Sequence, residues 1–286
     1  HFTIHSFPTR RSSDLIVNSV NLEDGEERLA RVCPLLKRYG AAVVVGAIDE
    51  DPLQAQAFTR ERKLEVLGRA HRLLVERYGM AEEDLVFDPL VFPAASGDEA
   101  YIGAAVETLE GLRAVKAAFP RCATILGISN VSFGLPAAAR EVVNSVFLYH
   151  ATRAGLDLAI VNTEGLERFA AISAEDRGLA EALLFNHPLG DDPLVAGAPA
   201  DWRRQTPEQR LAVNRENISR ITERFRGVVR ERAGGDDRPL DVRLAGYVVD
   251  GSRDGLVEDL DRKLAEGAAP LEVVNGPLMA GMAEVG

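Results

Sequence analysis

No apolar run approaches the roughly 20 residues that cross a bilayer as a helix, which argues against a membrane span. The chain has only two cysteines, Cys33 and Cys122. Two thiols cannot make a disulfide framework or a cysteine-rich zinc site, and both stand among apolar helix or strand residues, as buried thiols do. Basic residues are outnumbered: 33 Lys and Arg against 44 Asp and Glu give a net charge of −11. A nucleic-acid binder carries a basic face, so the balance argues against that class. The acid excess names no partner by itself, because acidic surfaces commonly serve solubility. The first residues lack the apolar core of a secretory signal. The simplest expectation is a cytoplasmic protein with no metal site of its own.

What remains is ordinary globular composition: 286 residues, 46% hydrophobic and 27% charged, enough for one large domain or two smaller ones. Residues 1–15, HFTIHSFPTRRSSDL, show neither helix nor strand period. They resemble translated sequencing-adapter sequence and are read as a non-native leader, so that the protein proper starts at Ile16. The alternative is a disordered native tail.

From Ile16 one pattern repeats. A short, β-branched apolar run ends in an amide or acid, then a loop, then a helical period. Ile16-Val17 ends at Asn18, Ala41–Ile48 at Asp49 and Leu85–Phe87 at Asp88. Thr124–Ile128 leads to Asn130, and Leu158–Val161 to Asn162. The steps between these polar ends are 31, 39, 42 and 32 residues. Strands alternating with helices at this spacing predict an α/β protein with a parallel sheet. Polar side chains at each strand's C-terminal end point to one mouth, as in a (β/α)8 barrel. Five units are visible where a closed barrel needs eight.

The intervening helices are predicted at Glu26–Tyr39, Thr59–Tyr78, Glu99–Phe119, Ala137–Gly155 and Leu179–Phe185. Gly40 and Gly79 stand where helices end. Residues 187–238 read as a linker, rich in Pro and Gly, that carries a long charged helix, Pro207–Ala233. Three short helices follow, near Val242–Val249, Gly255–Ala265 and Pro277–Val285. The last has no stop signal before Gly286, which reads as a cut end.

Together, IVNS (16–19), FDP (87–89), SNVSFGLP (129–136) and FLYHATRAGLDLAIVN (147–162) resemble the pterin-binding domain of the cobalamin-dependent methionine synthase family. The motifs occur in order and cover about Ile16 to Asn186. The tail LEVVNGPLMAGMAEVG (271–286) resembles the start of that family's helical cap over cobalamin. The resemblance implies three regions: the C-terminal part of a pterin-binding (β/α)8 TIM barrel at 16–186, the linker, and a truncated cap at 239–286. It also implies what lies elsewhere: the first barrel strands, a zinc-dependent homocysteine domain, and the corrinoid domain that holds most of the cobalamin.

In the family, 5-methyltetrahydrofolate gives its N5 methyl group to cob(I)alamin, for methylation of homocysteine to methionine. N5 is a poor leaving group unless it gains proton character, which a positioned hydrogen-bonding group assists. The resemblance gives that role to Asn130, whose amide both donates and accepts. It makes Asp88 the carboxylate that pairs with the 2-aminopyrimidinone edge of the pterin, and Asn18 a second ligand of that edge. Arg140 falls near the pterin or folate tail if two residues are inserted after Pro136. Asp49 and Asn162 are further residues at the mouth, with a structural role the stronger reading. Without the resemblance, Asn130 reads as a helix cap, Asp88 and Asn18 as turn residues, and Arg140 as a surface arginine. Two other functions stay open: a pterin methyltransferase serving a separate corrinoid protein, and a folate-binding fragment without turnover.

Overall fold

A computed structural model describes residues 15–189, 197–228, 238–250 and 255–285. Except for Leu15, the expected leader lies outside them, as do the end of the long charged helix and the GGDD break at 234–237. The chain divides into two compact units.

The first unit takes in the chain up to Phe92, Ala104–Asn130 and Phe147–Val161. It contains β1 (Ile16–Leu22), β2 (Ala42–Asp49), β3 (Leu85–Asp88), β4 (Ala123–Gly127) and β5 (Leu158–Ile160). All neighbours pair in parallel, in the order β1-β2-β3-β4-β5. Each strand joins beside its predecessor and the order never reverses, so there is no switch point of the doubly wound kind. This is the winding of a barrel segment, as expected.

Helices α1 (Glu27–Tyr39), α2 (Arg60–Arg72) and α3 (Ala104–Ala118) lie between the strands in sequence. Thr59 caps α2 by accepting from the Arg62 N–H, and α2 continues through a π-turn, Leu73–Arg77. Gly40 closes α1 at φ +62°, a conformation that glycine adopts without strain. Alternation sorts the strand residues. Val20, Leu22, Val43, Val45, Leu85 and Phe87 pack with Leu29 and Leu36 of α1 and Leu67 and Ala70 of α2. Val44, Val86, Ala123 and Ile125 form a separate apolar layer on the opposite face. Burial on both faces explains why the strands read as continuous apolar runs. Cys33 and Cys122 are buried free thiols, and burial raises their pKa values to about 11 and about 12.

The strand ends differ from the sequence expectation. β1 does not stop at Asn18. Val20 and Leu22 are fully buried, and pairing runs on to Leu22 opposite Asp49, with irregular register between Val17 and Leu22. β4 ends at Gly127, and Asn130 sits in the 3-10 turn that follows, Ile128–Ser132. β5 ends at Ile160, two residues before Asn162.

The second unit takes in Pro93–Gly103, Val131–Val146 and Asn162 onward. Helix α4 (Ala137–Ala154) divides between the units at Val146. Helix α5 spans Ala174–Phe185, starting earlier than expected because Ser173 caps it by accepting from the Asp176 N–H. Helix α6 is Pro207–Arg224, opened by a capping box of Thr206 and Gln209. It is docked rather than free. Asn217 Nδ2 donates to the Ala182 and His187 carbonyls at 2.9 and 3.0 Å, and Asn214 Nδ2 to the Ala94 carbonyl at 3.2 Å. The charged stretch after Asn186 thus carries the long helix expected there, held within this unit by its inward amides.

Helices α7 (Leu240–Asp250), α8 (Leu256–Ala265), α9 (Pro270–Val273) and α10 (Met279–Val285) complete the unit. Arg243 of α7 pairs with Asp259 of α8. A π-turn, Val274–Leu278, carries the helical run past Pro277, so it begins at Pro270 instead of at Pro277. Gly281 lets α10 approach α7 closely, since a methyl group there would lie 2.5 Å from the Ala245 carbonyl oxygen.

Candidate functional site

The opposite sheet face carries the candidate chemistry. Asp88 is the last residue of β3, two positions after Val86, so its side chain belongs to the layer of Val44, Val86 and Ile125. Pairing sets Asp88 opposite Gly46 of β2. On β4 the same face reads Ala123, Ile125, Gly127. A methyl group at Gly127 would lie 3.5 Å from Asn130 Nδ2, so the Asn130 amide folds back over the end of β4 on this face. Asp88 and Asn130 therefore share one face at the C-terminal ends of adjacent strands. Apolar side chains form the floor beneath them.

Asp88 is held by its own turn. Pro89 follows it, and the Leu90 N–H donates to Asp88 Oδ1 at 2.8 Å. Leu90 has φ +65°, an unusual conformation for a bulky residue. Strain of this kind persists where the surroundings enforce it, and it gathers at functional sites. Burial raises the Asp88 carboxyl pKa from 3.8 to about 6; the Leu90 N–H and the Lys63 charge act against that rise. Such a carboxylate gains from any ligand that brings N–H donors.

Two residues of this neighbourhood went unnoticed in the sequence. Asn21 is 7% exposed and lies beside Gly46, where a methyl group would meet its Cβ at 3.9 Å. Alternation with Val20 and Leu22 would have revealed it, had β1 been extended past Asn18. Its Oδ1 accepts the Glu23 N–H at 3.1 Å. Lys63 has no exposed surface. Its Nζ donates to the carbonyls of Ala57, Pro89 and Leu90 at 2.9, 2.5 and 3.3 Å. Desolvation lowers its pKa to about 7, with Asp88 and Glu107 pulling the other way. The signal was a lysine four residues before Leu67 and seven before Ala70, on the inward face of α2.

The other expected residues fall in different settings. Asn18 is exposed on edge strand β1, three residues before Asn21. Asp49 continues the helix-facing alternation of Val45 and Ala47, and both its oxygens accept from Arg62 at 2.7 Å. Arg140 is buried in the second unit, where its Nε donates to Ser132 Oγ at 3.1 Å and its guanidinium lies 5.2 Å from the Phe133 ring centre. Arg140 thus braces Ser132 and Phe133 within that unit. Asn162 is exposed. Among the described residues no group of three His, Cys, Asp or Glu is arranged to hold a metal ion, and no helix is long and apolar enough to cross a membrane.

A parallel, singly wound sheet with a carboxylate and an amide over its C-terminal ends defines a barrel-type enzyme class. The chain belongs to the pterin binding enzyme family, whose pattern matches residues 11–162, and a B12 binding domain matches 241–286. It is similar to methionine synthase of Mycobacterium tuberculosis, 38% identical over 274 residues. It is likewise similar to methionine synthase of Mycobacterium leprae, 35% identical over 281 residues. These alignments cover 94% and 95% of this chain but 21% of either relative. The chain thus spans about a fifth of the length of the curated relatives it matches.

Proposed function

We propose that this chain is the folate-binding part of a cytoplasmic, cobalamin-dependent methionine synthase. Residues 16–186 contribute to the pterin barrel, and 239–286 open the cobalamin module. The single observation that carries the reading is the pairing of Asp88 with Asn130 on one sheet face, over an apolar floor. Asp88 accepts the parallel N–H donors of the 2-aminopyrimidinone edge, which a carboxylate matches two to one. The apolar layer of Val44, Val86 and Ile125 lies under the flat ring. Asn130 places its amide at N5, donating or accepting as that nitrogen gains proton character, without titrating itself. Asn18 and Asn21 extend the contacts of the pterin edge.

Cobalamin, when bound, supplies the nucleophile that takes the methyl group. The B12 binding domain match at residues 241–286 supports a cobalamin-facing segment on this chain, and Leu271, Val274, Met279 and Met282 there are exposed apolar side chains. This favours a cobalamin module on the same chain over a separate corrinoid protein. Zinc belongs to homocysteine activation in another domain.

The test is single-turnover methyl transfer from 5-methyltetrahydrofolate to cob(I)alamin, in a chain extended to the length of the mycobacterial relatives. Asn130→Ala should slow transfer by on the order of 10²-fold, typical of a lost transition-state hydrogen bond, with a smaller loss of folate affinity. An unchanged rate removes Asn130 from the chemistry.

A further inference from the structure

We propose that Lys63 is a positioning residue for the pterin-recognising carboxylate of Asp88, holding the Asp88-Pro89-Leu90 turn from beneath. The inference rests on the reading of Asp88 as a pterin ligand and adds a residue to which that reading gives no role.

A fully buried lysine is costly unless its three donors find acceptors. Here they do, and two of the three acceptors are the Pro89 and Leu90 carbonyls, immediately after Asp88. The third, Ala57, lies just before α2. The Leu90 carbonyl also accepts from Thr108 Oγ1 at 3.0 Å. Lys63 thus fixes, through the Pro89 carbonyl, the peptide whose N–H anchors Asp88 Oδ1, and Lys63 and Thr108 together fix the next peptide through the Leu90 carbonyl. They also hold Leu90 in its left-handed conformation. The fold makes room for the lysine stem. A methyl group at Gly111 of α3 would lie 2.7 Å from Lys63 Cδ, and the Phe92 ring centre lies 4.9 Å from Nζ. The acids acting on the ammonium are Asp88 and then Glu107, whose carboxylate is also engaged by the Arg60 N–H at 2.7 Å. A lysine serving packing alone would have no reason to place two of its three donors on the turn that begins at the candidate ligand. The arrangement does two things at once. It steadies the Asp88 carboxylate on the ligand face, and it sets a positive charge near a carboxylate that burial pushes toward its neutral form.

The experiment measures 5-methyltetrahydrofolate binding by calorimetry from pH 5 to 8, in the chain extended to the relatives' length. Lys63→Met should raise Kd by on the order of tenfold at neutral pH, the scale of coupling within one buried network. It should also move the acid limb of the binding profile to higher pH, because Asp88 loses the cation that favours its charged form. Weaker binding with an unmoved acid limb makes Lys63 a mere structural staple and overturns the proposal. Unchanged binding overturns it too. Should Lys63→Met not fold, Gly111→Ala decides. It keeps every charge but crowds the lysine stem, and it should weaken binding in a folded protein; unchanged binding again overturns the proposal. Asp88→Asn runs alongside. If it leaves Kd unaltered, the assignment of Asp88 fails first and takes this inference with it. If it weakens binding while Lys63→Met does not, the positioning role alone fails.

Discussion

At the scale of single residues, Asp88 carries opposed demands. Its folded pKa of about 6 lies above the ordinary 3.8, chiefly through burial. The native state therefore binds more protons than the unfolded chain between those values. The Asp88 contribution to stability is present at low pH and is lost as pH rises through about 6. Asp88→Asn removes this penalty and keeps an oxygen for the Leu90 N–H. The ligand-free variant should melt no lower than the parent at pH 8, where Lys63 is above its own pKa of about 7 and can shed its proton. The difference should narrow at pH 5 and close only below the unfolded value of 3.8. Pterin affinity should move the other way, since one acceptor becomes a donor facing the pterin N–H groups. Thermal melts at both pH values, with calorimetry at pH 8, check the pair of effects. A variant that is both less stable and equally tight in binding contradicts the account. Parent affinity should likewise fall as pH drops through about 6, because the protonated acid cannot accept two N–H bonds.

At the scale of elements, the legible and illegible parts divide by mechanism. The strands and helices from Ile16 to Ala154 could be read because apolar runs, Gly40, Gly79 and Thr59 mark them locally. Asp88 could be read for the same reason: an Asp-Pro pair closes its strand. The reach of β1 to Leu22 could not, because Asn18-Ser19 looks like a strand end and only pairing with β2 keeps the chain extended. Asn21 was hidden by that error. Lys63 was hidden because its burial depends on carbonyls 26 and 27 residues away in sequence. The docking of α6 was hidden in its polar composition, since its inward contacts are amides. Asn217 is 1% exposed and serves two carbonyls, Ala182 and His187. Asn217→Ala takes this donor from the His187 carbonyl, while the Ala182 carbonyl keeps the His187 and Asn186 N–H groups, and a buried acceptor without a donor costs about 1–3 kcal/mol. A fall in melting temperature, with α6 amides exchanging faster with solvent, is expected. Unchanged protection of α6 would mean that its apolar stripe, Val213 and Ile221, holds it without the amide.

At the scale of the whole molecule, the sheet has two edges, β1 and β5. Ile16 on β1 is 39% exposed and Ile160 on β5 is 53% exposed. A closed barrel has no edges, whereas open parallel edges offer unpaired N–H and C=O groups to other chains. The face bearing Asp88 and Asn130 has its apolar floor in β2, β3 and β4, so a pterin seated there is walled by this sheet on one side only. Burial at roughly 25 cal/mol per Å2 offsets chain entropy only for surface that is covered. The 286 residues by themselves should therefore bind 5-methyltetrahydrofolate weakly or not at all, transfer no methyl group, and self-associate through the sheet edges. Extension to the length of the mycobacterial relatives should restore both binding and a monomeric barrel. Light scattering after size exclusion, followed by calorimetry on each chain, makes the comparison. A monodisperse, stable short chain that binds the folate at about micromolar Kd, near −8 kcal/mol, would show that five strands suffice for the pocket. The pterin contacts would then have to come from β1 to β5 alone, with Asn18 and Asn21 completing the edge that Asp88 begins.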